Sequence, residues 1–206
     1  MSFFLQAAVA GQPLAVGSWF EYEDQDLDFN SFENRLSWFL PEVVPVISSH
    51  VTVNSETLEQ EAAALWSLPS DWRDKLLRSM ERYSLSKCRR QIVDQALDLA
   101  IAFEIAVSGG KGDNAPQNWK VGVRSTQAIG GTLQERQRNR KALTDFYSKL
   151  RNTGTHGGSL KPSERAEQER ILDDAMSIYR DLLASFLAIG VAPDWSALEL
   201  EPRTRN

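Results

Sequence analysis

A chain of 206 residues with 42% apolar side chains has material for one core with an extension, or for two small domains. Two histidines and a single cysteine, Cys88, are too few for a dedicated zinc or copper site and allow no internal disulfide, which fits a reducing cytoplasm. No run reaches the ~18 apolar residues of a membrane span, and the start, Met1-Ser2-Phe3-Phe4-Leu5, lacks the basic residues that open a secretory signal.

Along the chain, residues 1–30 are apolar at first and then acidic through Glu21-Tyr22-Glu23-Asp24-Gln25-Asp26. Phe32, Leu36 and Phe39 at helical spacing predict a short helix from Ser31 to Leu40, stopped by Pro41. Val43 to Val53 is β-branched and broken by Pro45, and reads either as a strand or as an extended connector. Asn54 or Ser55 caps a helix running to about Trp66, and Pro69-Ser70 starts another through Leu76, Leu77 and Met80. From about Ser86, the apolar positions Ile92, Val93, Ala96, Leu97, Ala100, Ile101, Phe103 and Val107 predict a long helix that Gly109-Gly110 ends. A loop from Lys111 to Gln117 precedes a weaker helix around Trp119 to Ile129. Thr132-Leu133-Gln134-Glu135 has the form of a capping box and opens a charged helix. Pro162-Ser163 starts a last long helix with the stripe Ile171, Leu172, Ala175, Ile178, Tyr179, Leu182, Leu183, Phe186 and Leu187, closed by Gly190 and Pro193 ahead of a short tail with Trp195. No repeat and no sheet pattern compete with these signals, so the fold class is an all-α bundle.

The net charge of −5 conceals an asymmetry: residues 1–84 carry 5 basic and 13 acidic side chains, and residues 85–206 carry 18 basic and 15 acidic. Within 132–161, Arg136, Arg138, Arg140, Lys141, Lys149, Arg151 and Lys161 meet only Glu135 and Asp145. Such a stretch is either a solvated helix face or a phosphate-attracting surface on an otherwise acidic protein.

Most local candidates for chemistry fall away. Gly109-Gly110-Lys111-Gly112 lacks the preceding strand and the Lys-Ser/Thr helix start of a phosphate loop. His50 has no partner in sequence, Cys88 reads as a small core residue, and Trp38, Trp66 and Trp72 read as core rather than as base-stacking platforms. What remains is the segment Asp145-Phe146-Tyr147-Ser148-Lys149-Leu150-Arg151-Asn152-Thr153-Gly154-Thr155-His156-Gly157-Gly158. It joins a permanent cation whose planar fork fits phosphate oxygens to the one side chain that exchanges protons near neutrality. In an unbroken helix Arg151 and His156 would diverge by about 140°. Gly154, Gly157 and Gly158 lead us to expect a helix that loosens or ends there, which either lets both side chains face one pocket or leaves a surface turn with an incidental histidine.

Several stretches in order carry a resemblance. Arg82-Tyr83 followed by Ile92 to Glu104 resembles the long second helix of Apea-like HEPN domains, and Val123-Arg124-Ser125-Thr126 resembles the helix after it. Phe146-Tyr147, Leu150-Arg151-Asn152 and His156-Gly157 are similar to the family's signature, and Pro193-Asp194-Trp195 to its tail. The resemblance covers about residues 75–200, leaving residues 1–74 as an acidic, mostly helical extension of unassigned role before a HEPN-like domain over 75–206. It implies a helical bundle that pairs as a homodimer and acts on RNA as a metal-independent endoribonuclease of a toxin or anti-phage defence system, with an antitoxin or phage-derived trigger protein as a further partner. Arg151, Asn152 and His156 fall on the motif positions, and Glu104, Arg124 and Tyr147 on supporting ones. Asn152 stands where the Apea-like branch commonly has serine. No tyrosine follows His156 closely, which departs from the branch silenced by tyrosine modification.

On this reading His156 is general base on the 2′-hydroxyl or general acid on the leaving 5′-oxygen, and Arg151 holds the scissile phosphate. Asn152 orients the phosphate or the imidazole, Glu104 fixes Arg151, and Arg136, Arg138, Arg140, Lys141 and Lys149 attract RNA. A dimer supplies the second Arg/His pair, and no metal, cofactor or membrane is called for. The alternative is a non-catalytic HEPN-like module that binds RNA or a nucleotide, or acts as a sensor through protein contacts.

Overall fold

The computed structural model describes residues 55–109, 113–155 and 162–200, with the backbone of two short strands, β1 (Gly17–Ser18) and β2 (Ser37–Trp38). The strands pair antiparallel, Gly17 opposite Trp38 and Ser18 opposite Ser37. That pairing corrects the helix expected over Ser31 to Leu40. A piece so short and closed by Pro41 carries the full cost of nucleation, and its last residues pair with another segment instead. The rest of that stretch, Val43 to Val53 and His50 lie outside the described residues.

From Ser55 the chain is all-α. α1 (Ser55–Ser67) and α2 (Ser70–Cys88) are followed by α3 (Ile92–Val107), α4 (Gln117–Ile129) and α5 (Leu133–Phe146). A π-helical turn (Tyr147–Arg151) and α6 (Asn152–Thr155) continue α5, and a 3-10 turn (Pro162–Glu164) leads into α7 (Arg165–Ile189) and the tail helix α8 (Trp195–Leu200). Among these residues no helix is long and apolar enough to cross a membrane.

Local chemistry explains the boundaries. Pro69 precedes α2 with φ −51°, preset by its ring. The long helix expected from Ser86 is broken at 89–91: Arg89 turns extended, its Nε held 2.7 Å from Asp98 Oδ2 while its carbonyl accepts Gln95 Nε2 at 2.7 Å. An ion pair to a buried carboxylate on the next helix thus outweighs continuous helical periodicity. At α5 the capping box forms in full, Glu135 N–H donating to Thr132 Oγ1 at 3.2 Å and Thr132 N–H to Glu135 Oε2 at 2.7 Å. α7 ends on Gly190, whose φ of +74° is a left-handed conformation that favours glycine.

The core gathers on α7. Tyr179 stacks on Tyr83 at 4.7 Å and meets Phe103 edge-on at 5.2 Å, while Phe186 meets Trp72 edge-on at 5.1 Å. Ser79 donates its one hydroxyl proton to Ala102 O at 2.7 Å, so the 2.6 Å bond between Ser79 and the buried Tyr179 hydroxyl has Tyr179 as donor. Leu65, Leu68 and Trp72 belong to the same core as α3 and α7. The expected boundary at 74/75 therefore falls inside α2, and the helical unit includes α1. Two further expectations change. Trp66 is 61% exposed, with the Arg73 guanidinium 5.2 Å over its ring, and Cys88 is half-buried at the end of α2 rather than in the core.

Candidate functional site

The signature segment is built on a local irregularity of the α5 rod. Asn152 N–H bonds to Tyr147 O, five residues back, so the turn Tyr147–Arg151 holds one residue more than an α-helical turn. Leu150 and Tyr147 are buried and Arg151 is half-buried above them. Helical hydrogen bonding then resumes. Thr153 Oγ1 donates to Lys149 O at 2.9 Å and Thr155 Oγ1 to Arg151 O at 2.7 Å.

Gly154 lies inside the helical piece Asn152–Thr155. A Cβ there would lie 2.8 Å from Val93 Cγ1 and 3.1 Å from Leu97 Cγ, so its missing side chain is what lets α6 lie against α3. The chain stays helical through Thr155. His156, Gly157, Gly158 and Lys161 lie outside the described residues.

Glu104, on α3, faces the π-turn. Its Oε1 accepts the Tyr147 hydroxyl at 3.3 Å and Arg151 Nη2 at 3.4 Å, and the Arg151 guanidinium sits 5.8 Å over the Tyr147 ring. Burial first, then the Glu104 charge and its hydrogen bond, push the Tyr147 phenol far above its ordinary range. Tyr147 thus donates to the same Glu104 oxygen that accepts from Arg151. The expected pairing of Glu104 with Arg151 is present.

Beside these residues is a cleft of about 180 Å³ lined by Tyr147, Arg151 and Asn152 and, across it, by Gln117 and Asn118 at the start of α4. Asn118 Oδ1 accepts the Trp119 backbone N–H at 2.9 Å, which leaves its amino group as the part it offers a ligand. One guanidinium, three side-chain amides and the positive end of α4 thus meet at one concavity, a donor-rich set suited to an anion such as phosphate. Gln117 and Asn118 had no signal in the sequence. They lie some thirty positions from Arg151, and only the α4–α5 packing brings them there.

Arg124 is not part of this cleft. Its Nη1 and Nη2 take Asp113 Oδ2 and Oδ1 at 2.6 and 3.1 Å, its Nε takes Glu199 Oε1 at 2.7 Å, and Nη1 also donates to Val107 O at 2.8 Å. Its guanidinium lies 5.1 Å over the Trp195 ring, and Lys120 Nζ is 3.1 Å from Asp113 Oδ2. Hydrogen bonds from Arg124 above all hold the Asp113 carboxyl well below the usual carboxylate range. Arg124, on a supporting position by the resemblance, ties the end of α3, the following loop, α4 and α8 together.

The basic residues divide as well. Lys141 pairs with Asp145 and Lys149 with Glu167, each at 2.6 Å. Arg136 is half-buried with Nη1 2.6 Å from Gln127 Oε1, while Arg138 and Arg140 are exposed. Among the described residues no group of three or more His, Cys, Asp or Glu side chains comes together as a metal site. Comparison with protein-family models, with curated proteins and with solved structures finds no match to this chain.

Proposed function

We propose that this protein is a metal-independent endoribonuclease of the HEPN type, acting as a toxin or in anti-phage defence in the cytoplasm, with its active site at a homodimer interface. The observation that supports this reading is the Arg151 guanidinium, anchored by Glu104 and Tyr147 at the wall of a cleft whose other donors are Asn152, Gln117 and Asn118. In such a site Arg151 holds the scissile phosphate and stabilises the charge that develops on its equatorial oxygens. His156, five positions on in the sequence, exchanges the protons: one leaves the 2′-hydroxyl as its oxygen attacks phosphorus, and one reaches the departing 5′-oxygen. The products are a 2′,3′-cyclic phosphate end and a 5′-hydroxyl end. One chain carries one such pair, so a two-fold partner supplies the second proton-transfer group. The test is cleavage of single-stranded RNA in EDTA with the ends mapped chemically. Cyclic phosphate ends formed without added metal agree with the proposal. Activity lost in EDTA and restored by magnesium or manganese argues for two-metal chemistry instead.

A further inference from the structure

The cleft at Arg151 is one of two concavities on the same interhelical seam. The second, of about 140 Å³, lies between α4 and α5 and is lined by Val123, Thr126 and Gln127 on one side and Leu133, Arg136, Gln137 and Arg140 on the other. The sequence explains why they align. On the α5 rod, positions 133, 136, 137, 140, 144, 147 and 151 recur at intervals of one to four residues and form one stripe. On α4, positions 119, 123, 126 and 127 share one face, and Gln117 and Asn118, off that face, line the Arg151 cleft at the helix start. The Arg136 cavity therefore lies toward the end of α4 and the Arg151 cleft at its start.

The chemistry of the second cavity is mixed. Gln127 fixes the Arg136 fork through Nη1, Arg140 is exposed beside it, and the floor carries Val123 and a Leu133 that is 64% exposed. Guanidinium groups above an apolar floor suit a ligand with a phosphate and a flat, poorly solvated base. On the Val123 face of α4, one turn before Val123, Trp119 is 38% exposed. A single nucleic-acid strand is the ligand that uses all three features, because it repeats phosphate and base along its length. Arg140 precedes Arg151 by eleven residues, an axial separation of about 16 Å. At 3.4 Å for each stacked nucleotide, that is bridged by about five nucleotides.

We infer that the α4–α5 seam is a track for single-stranded RNA, with Arg136 and Arg140 holding a phosphate remote from the cut and Trp119 stacking a base between them and Arg151. The inference rests on the ribonuclease reading for the position of the cut, and on the seam alone for binding. The test compares the full-length wild-type protein with the double variant Arg136→Gln/Arg140→Gln and with Trp119→Ala, using a trinucleotide and a dodecanucleotide of the same composition. Fluorescence anisotropy reads binding and gel analysis reads cleavage.

For the dodecanucleotide, loss of the one phosphate held by Arg136 and Arg140 lowers the slope of log affinity against log salt by about 0.7. Loss of the stacking platform weakens binding about ten-fold. In the double variant kcat/KM falls by a larger factor for the dodecanucleotide than for the trinucleotide, which is too short to reach the Arg136 end. If neither substrate is cut by any protein but both variants lose dodecanucleotide affinity, the track stands and the ribonuclease reading fails. If the wild type cuts RNA and both variants, shown folded by circular dichroism, keep wild-type affinity, salt slope and length dependence, the track is overturned.

Discussion

Glu104 and Arg151, 47 positions apart on neighbouring helices, meet through Glu104 Oε1 and Arg151 Nη2 at 3.4 Å, with the Tyr147 hydroxyl on the same carboxylate oxygen at 3.3 Å. A long cation on a flexible stem is thereby held at the cleft by two groups that are themselves fixed in the packing of α3 and the π-turn. Preorganisation of this kind matters for a group that must meet charge developing on a phosphate.

Glu104→Gln keeps an acceptor for Tyr147 but removes the charge that orients Arg151. A partly exposed pair of this sort contributes up to about 1 kcal/mol to stability, so the fold should survive. The expected result is a roughly ten-fold loss of kcat for RNA cleavage, with a change in unfolding free energy below about 1 kcal/mol. Single-turnover kinetics and a urea titration of the same preparation check both parts.

Gly122 and Gly154 should respond to alanine with opposite signs. At Gly122 a Cβ would meet only Arg140 Cγ at 3.8 Å, so Gly122→Ala gains helix propensity, up to about 1 kcal/mol, without strain. At Gly154 the new Cβ lies 2.8 Å from Val93 Cγ1 and 3.1 Å from Leu97 Cγ. Overpacking of that kind costs about 1–3 kcal/mol and exceeds the same gain. Differential scanning calorimetry should show Tm raised for Gly122→Ala and lowered for Gly154→Ala.

Asp113→Asn should destabilise the tail more than any surface change. Asp113 answers both Arg124, which is 5% exposed, and Lys120, which is 4% exposed, and its loss leaves two buried cations with Glu199 as the remaining carboxylate. Breaking a buried pair from one side costs about 3–5 kcal/mol. The pH dependence follows from the depressed carboxyl. Its stabilising effect is complete above the unfolded value of about 3.9 and is lost as pH falls below it towards the folded value. Chemical denaturation at a series of acidic pH values should therefore show wild type losing stability faster than Asp113→Asn as pH falls below about 4.

The longer helices from Ser55 onward were legible through local signals such as Pro69 before α2, the Thr132/Glu135 box at α5, the apolar stripe of α7 and Gly190 after it, whereas α8 was read only as a short tail. What the sequence hid depends on contacts between distant segments. The break at Arg89 comes from an ion pair to Asp98, and the core position of Leu65 and Trp72 comes from packing against helices downstream. The close approach of Gly154 to Val93 and Leu97 had no signal in sequence, and residues 156–161, where the helix was expected to loosen or end, lie outside the described residues. At the site, the pairing of Glu104 with Arg151 was anticipated through the family resemblance. Gln117 and Asn118 were not, nor were Asp113 and Glu199 as the partners of Arg124, because no local pattern states which carboxylate an arginine will find.

The most direct test is cleavage of single-stranded RNA by purified wild type, Arg151→Ala and His156→Ala, each shown folded by circular dichroism and thermal unfolding. The account predicts that wild type cuts RNA in EDTA to cyclic phosphate ends, and that each variant retains binding while losing at least about a hundred-fold of the cleavage rate, the lower range for a general acid–base group. Wild-type cleavage by well-folded His156→Ala protein would contradict it.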